Sequence, residues 1–131
     1  LEIDMFSDWI DHIKNASKKN YVLVSNKRAK DTLEYLGIKN VLYLTNYQPR
    51  TDLYELIIQK PKDVILLLDV DKKSNSEAHK VKTQLEKIGA KVNTRFRKVI
   101  LTSEFRTIAG LRKYLHKHVA NSLRKHKGVE Y

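Results

Sequence analysis

The loop Asp69-Val70-Asp71 follows the most apolar run of the chain, Val64-Ile65-Leu66-Leu67-Leu68. Two carboxylates at i and i+2, leaving a buried strand, can point the same way and share one hard cation. Mg²⁺ or Mn²⁺ suits such a pair, because these ions take oxygen ligands and keep waters that a phosphate can replace. The competing use of the same residues is to end the strand and cap the helix that follows. With two carboxylates and water as the whole donor set, the ion is held weakly, at about millimolar affinity at best. A second chemical feature is Asn93-Thr94-Arg95-Phe96-Arg97-Lys98. Arg95, Arg97 and Lys98 offer forks and point charges for phosphates, and Phe96 offers a face for base stacking. If Phe96 instead packs inward, only a basic loop is left.

Charge points the same way. Residues 91–127 carry eleven lysines and arginines against the single acid Glu104, whereas the rest of the chain is nearly balanced, with 15 basic and 14 acidic groups. The formal net charge of +11 therefore resides almost wholly in the last third. Such asymmetry marks a surface that meets phosphates, nucleic acid before membrane, or else a solvated helix face that is simply basic. Other candidates are thinner. His116 and His118 stand about 200° apart on a helix and cannot share a metal, and His12, His79 and His126 have no partner at ligand spacing. There is no Gly-rich phosphate loop and no nucleophile elbow. Tyr43, Tyr47 and Tyr54 suit base stacking less well than the edges of a core.

The elements that must position these residues follow from hydrophobic period. Ile3, Phe6, Ile10 and Ile13 recur at helical spacing and predict an amphipathic first helix. Tyr21-Val22-Leu23-Val24 and Val41-Leu42-Tyr43-Leu44 predict strands, with a helix carrying Leu33 and Leu36 between them and Gly37 as its stop. Leu53, Leu56 and Ile57 predict another helix before Pro61. Val64–Leu68 shows no polar alternation, so both of its faces must be buried, as in the middle of a parallel sheet. A polar helix is expected from about Ser74, with Val81, Leu85 and Ile88 inward and Gly89 closing it. A weaker strand is expected near Lys91–Asn93, Val99-Ile100-Leu101 has no decided state, and a last helix is expected over about 104–126. Strands alternating with helices predict an α/β domain, a parallel sheet of about four strands with helices on both faces, and ligands at the carboxyl ends of its strands.

The segment Val22-Leu23-Val24-Ser25-Asn26-Lys27-Arg28-Ala29, its helix ending Leu33-Glu34-Tyr35-Leu36-Gly37-Ile38, and Val64–Asp71 with Lys72-Lys73-Ser74 resemble the Toprim domain of topoisomerases, primases, small nucleases and recombination proteins. The resemblance covers about residues 20–93. It implies a Toprim-like, Rossmann-like single domain over 1–131, with an N-terminal helix in 1–18 and a basic helical extension in 94–131, like the extra helices of small stand-alone archaeal and bacterial members. In the family the first strand ends in Glu-Gly, then usually Lys and an Asp two positions on; the third ends in Asp-x-Asp, often with a later Gly. Here Lys27, Asp69 and Asp71 match, but Ser25 stands at the Glu position, Asn26 at the Gly, Ala29 at the Asp and Ser74 at the later Gly. The resemblance thus implies a metal pair at Asp69 and Asp71 and a catalytic position at Ser25, where a serine hydroxyl neither moves a proton at neutral pH nor holds metal as a glutamate does. Glu77 lies a turn into the next helix, a poor replacement. Asp63–Asp69 is also similar to the phospho-acceptor strand of response-regulator receivers, which need an acidic pair where this chain has Ser25-Asn26.

These observations lead to an expected function: nucleic-acid binding by a Toprim-like module with an eroded catalytic site, RNA ahead of DNA, in processing or repair. The expected contacts are Lys27, Arg28, Lys72, Lys73, Arg95, Arg97, Lys98, Arg106, Arg112 and Lys113. The alternatives are a working Mg²⁺-dependent nuclease that uses Asp69 and Asp71, and a basic interaction subunit of a larger ribonucleoprotein or repair complex. At 131 residues, 41% hydrophobic and 31% charged, the chain has the composition of one globular domain. The absence of cysteine excludes disulfides, thiolate metal sites and cysteine nucleophiles. With no signal-peptide pattern and no apolar run of membrane-spanning length, the expectation is a cytoplasmic protein with no membrane partner.

Overall fold

The computed structural model describes residues 3–101 together with Thr107, Ile108 and Gly110. In chain order the elements are helix α1 (Ile3–Ala16), strand β1 (Tyr21–Val24), α2 (Lys27–Tyr35), β2 (Val41–Tyr43), α3 (Thr51–Gln59), β3 (Val64–Leu67), α4 (Lys72–Lys87), β4 (Val92–Asn93) and α5 (Arg95–Leu101). The four strands are all parallel and lie in the order β2-β1-β3-β4. This is the α/β sheet that the strand–helix alternation predicts.

Strand period divides the apolar residues between two cores. Val22 and Val24 of β1, Ile65 and Leu67 of β3, and Val41 of β2 bury on one face, against Trp9 and Ile13 of α1 and Ala29 and Leu33 of α2. Tyr21, Leu23, Val64, Leu66 and Leu68 bury on the other, against Leu53 and Ile57 of α3 and Ala78, Val81 and Leu85 of α4. β3 therefore has no wet face, as its unbroken apolar run requires. The chain moves from β1 to β2 with α2 on the first face, then doubles back past β1 to β3 with α3 on the second. Opposite directions with opposite faces are what a single handedness of crossover demands. The reversal makes the carboxyl ends of β1 and β3 the switch point of the sheet, where such folds leave a crevice.

Helix ends follow local chemistry. Gly37 and Gly89 sit at φ +84° and +93°, and the amides around them close α2 and α4: Ile38 N–H donates to Leu33 and Gly37 N–H to Glu34, as Ala90 does to Leu85 and Gly89 to Glu86. That paired pattern needs a left-handed residue just past the helix, which only glycine adopts without cost. Several boundaries differ from the sequence expectation. α4 starts at Lys72 rather than near Ser74, because Asp71 is its cap. β2 ends at Tyr43, since Leu44–Asn46 turn into a 3₁₀ helix. Residues 95–98, expected as a basic loop, and 99–101, undecided in sequence, together form α5, with Asn93 Oδ1 accepting from Arg95 N–H at 2.9 Å and Phe96 and Val99 packed on the first core. The helix expected over about 104–126, and with it Arg106, Arg112 and Lys113, lies outside the described residues except for Thr107, Ile108 and Gly110. Ile108 is fully buried in the first core. Among the described residues no helix is long and apolar enough to cross a membrane.

The division into two cores predicts that Leu66→Ala, on the dry second face, lowers the unfolding free energy by about 2–5 kcal/mol. Ile58→Ala, on the exposed side of α3, should change it by less than about 0.5 kcal/mol. Urea denaturation of both variants checks the assignment, and equal losses would contradict it.

Candidate functional site

At the switch point β1 ends in Ser25 and β3 runs out into Leu68 and Asp69. The two strands pair Val24 with Leu67, which leaves the residues just beyond them side by side. Asp69 N–H donates to Ser25 Oγ at 2.9 Å. Ser25 therefore ties the first strand's exit to the third's. Asp69 Oδ1 accepts from the amide of Ile108 at 3.4 Å, so a residue of the C-terminal segment sits over the carboxylate. Burial pushes the Asp69 carboxyl above the ordinary carboxylate range, and the nearby charge of Asp71 adds to this. The Ile108 amide, Arg97 and the Ser25 hydroxyl oppose it.

Asp71 has a different environment. It is exposed and caps α4, with Oδ1 accepting from Ser74 N–H at 2.8 Å and Oδ2 from Ser74 Oγ at 3.1 Å. The Ser74 amide holds its carboxyl below the usual range. Both oxygens thus serve the helix start, which is the capping role weighed for Asp-x-Asp from sequence.

Arg97 departs most from its expected role as a free fork for phosphates. Its Nε donates to Leu68 O at 2.7 Å, and its Nη2 donates to Asp69 O and to Asn75 Oδ1, both at 2.6 Å. The guanidinium is turned into the sheet edge and satisfies carbonyls that the end of β3 leaves unpaired. Asn75 had no signal in the sequence beyond its place one turn into α4. A cation after β4, next to β3 in a parallel sheet, was the one available hint for Arg97. Phe96 is partly buried against the first core, and its carbonyl accepts from Trp9 Nε1 at 3.1 Å.

The other predicted residues surround this edge. Lys27 and Arg28 open α2 after β1, Lys73 lies in the first turn of α4, where Lys72 is the first residue, and Arg95 and Lys98 lie on α5. Lys27, Arg28, Lys73, Arg95 and Lys98 are exposed. A shallow cleft of about 250 Å³ between α4 and α5 is lined by Val70, Asn75, Thr94, Arg97 and Lys98. Glu77 belongs to another contact, pairing with Arg50 at 3.2 Å, while Arg50 also donates to Leu44 O and Tyr47 O.

No protein-family model matches the chain. Over 117 residues it is 29% identical to a UPF0292 protein of Methanocaldococcus jannaschii, a match covering 84% of this chain and 89% of that one. A protein of Aquifex aeolicus with a solved structure is 31% identical and superposes with a TM-score of 0.73, over 79% of this chain and 94% of the other. The chain belongs to the family of that Aquifex protein. Membership extends the scaffold, with its parallel sheet and switch point, to nearly the whole length of the Aquifex chain. It assigns no activity.

The divalent ion implied by the Toprim resemblance fits this donor set poorly. Both Asp71 oxygens are held by Ser74, Asp69 Oδ1 accepts from the Ile108 amide, and the charge of Arg97 lies beside the pair. Among the described residues no three carboxylate or histidine side chains gather around a common point.

If Asp71 is a cap, Asp71→Ala should cost about 1 kcal/mol of stability, whereas Asp71→Asn should cost little, because asparagine caps as well as aspartate. The carboxyl's depressed folded value places its pH-dependent part in the acid range. That contribution is complete above the unfolded carboxyl value near 4 and is lost as pH falls through the folded one. Asp69 has the opposite sign, so Asp69→Asn should gain on the wild type as pH rises through the raised value. Thermal melts from pH 3 to 7 test both signs.

Proposed function

We propose that the protein binds nucleic acid through the basic surface around the carboxyl edge of its sheet. In this reading it is a Toprim-like module without a working acid–base group, acting on RNA ahead of DNA in processing or repair. The observation that carries the reading is the concentration of cations in residues 91–127, eleven against one acid. Five more observations of position agree with it: Lys27, Arg28, Lys73, Arg95 and Lys98 are exposed, and each follows the carboxyl end of a strand. Phosphates meet such a rim as point charges, and their released counterions supply most of the affinity.

Lysine and arginine at this density make binding salt-dependent. With ~4–6 phosphates contacted, the log–log salt slope on duplex should be about −4 to −5. Replacing Arg95 and Lys98 by Ala should make it shallower by about 1–2, with the fold retained. Arg97 is left out of that variant because its guanidinium holds the end of β3. A flat slope in the parent, measured by fluorescence anisotropy on labelled RNA and DNA, would remove the reading.

Strand cleavage should be weak. A positioned acid or base contributes ~10²–10⁴-fold to such a step, and Ser25, whose Oγ accepts from Asp69 N–H, supplies neither. Lys27 can stabilise developing charge but takes no proton while it remains charged. Robust Mg²⁺-dependent cleavage by the parent, lost in Asp69→Ala and in chelator, would establish the nuclease alternative instead.

A further inference from the structure

We infer that Arg97 is the resident cation of the Asp69/Asp71 edge, a built-in positive charge that occupies the ground a divalent ion would need. The inference concerns metal alone and stands independently of the nucleic-acid reading.

Three acceptors converge on this guanidinium from two elements: Leu68 O and Asp69 O from the exit of β3, and Asn75 Oδ1 from α4. All three distances are 2.6–2.7 Å, at the short end for N–H···O bonds, as charge-assisted donors make them. Two of the acceptors are backbone carbonyls, hard oxygen atoms of the kind that also ligate divalent ions. A rigid five-donor fork satisfies such diverging acceptors together, which an ammonium does less well. Arg97 stays charged although it is half-buried: burial lowers its pKa from a very high starting value, and Asp69 and Asp71 both act to raise it.

The carboxylates are correspondingly used up. Asp71 gives both oxygens to Ser74, and Asp69 Oδ1 accepts from Ile108 N–H. The positive end of the α4 dipole lies at the same place. A Mg²⁺ ion demands near-octahedral oxygen geometry at close range. To enter here it must break the cap of α4, expose the β3 carbonyls, or sit against a fixed positive charge. Arg97 thus does structurally part of what a bound ion would do: it brings a positive charge beside the carboxylates and ties the exit of β3 to α4, without needing free metal.

The test is a titration of the protein alone, with no nucleic acid, using Mn²⁺ as a paramagnetic probe and Mg²⁺ for confirmation, read at backbone amides by NMR. In the wild type no saturable broadening should centre on residues 25–27 and 69–75 up to about 10 mM metal, a concentration above the weak range for two carboxylates. Arg97→Gln keeps a donor for the carbonyls but removes the charge, and should bind Mn²⁺ at least about tenfold more tightly than the wild type at those amides. Its melting temperature should rise with Mg²⁺ while that of the wild type does not. If Arg97→Gln does not fold, Asn75→Ala is read in its place. It is an exposed helix position and removes one of the three anchors, so a gain of about threefold is expected. Saturable binding by the wild type at Asp69 and Asp71 overturns the inference whatever the variants do. So does a folded variant that gains no affinity.

Discussion

The architecture depends on one constraint: β3 is dry on both faces. Val64, Leu66 and Leu68 pack toward α3 and α4, while Ile65 and Leu67 pack toward α1 and α2. A backbone so buried must satisfy its polar groups through neighbours, and β3 pairs with β1 over all of Val64–Leu67 on one side and with β4 at Val64 and Ile65 on the other. Where pairing stops, at Leu68 and Asp69, the carbonyls still need partners. Arg97 is recruited for that reason, and the position of α5 follows from it, since the helix must deliver a guanidinium to the strand's end. Phe96 and Val99, packed on the first core, hold the helix in place.

The same constraint explains why two aspartates two residues apart end in opposite electrostatic states. Asp69 is still in the lee of the sheet, half-buried, so ionisation costs solvation that Ser25, Arg97 and the Ile108 amide only partly return. Asp71 has reached solvent and faces the free amides of a helix start, which favour its charge. A motif that is symmetric in sequence is therefore not symmetric in chemistry. Whatever anion approaches the edge meets one solvated carboxylate, one shielded carboxylate, and cations on three surrounding helices.

Much of this was legible in the residues. Val64–Leu68 carried its own burial in its lack of alternation, Gly37 and Gly89 ended the helices they were expected to end, and Asp71 had a capping reading from its position after a strand. A topological rule singles out the carboxyl edge from strand order alone. What could not be read were contacts made to backbone. Arg97, between Phe96 and Lys98, looks like a surface base, because its acceptors are carbonyls defined only by where β3 stops. The start of α5 was hidden for a related reason: Asn93-Thr94-Arg95 has no helical period, and the helix begins on an Asn93 side-chain bond. Ser25 was legible as a departure from a family pattern, but its bond to the Asp69 amide, a strand-to-strand tie, was not.

The flanks of the sheet carry a different consequence. Its two outer strands are its shortest, three residues in β2 and two in β4, beside four each in β1 and β3. An outer strand exposes a row of backbone donors and acceptors to any extended chain that drifts alongside, and its length sets how many bonds an intruder can form. Here that number is close to the minimum a strand can have. Two copies meeting side by side gain almost nothing from joining sheets, and their shared positive charge holds them apart. The geometry that crowds polar groups at the sheet's end thus leaves, among the described residues, few strand positions at its sides with which another chain's backbone could pair.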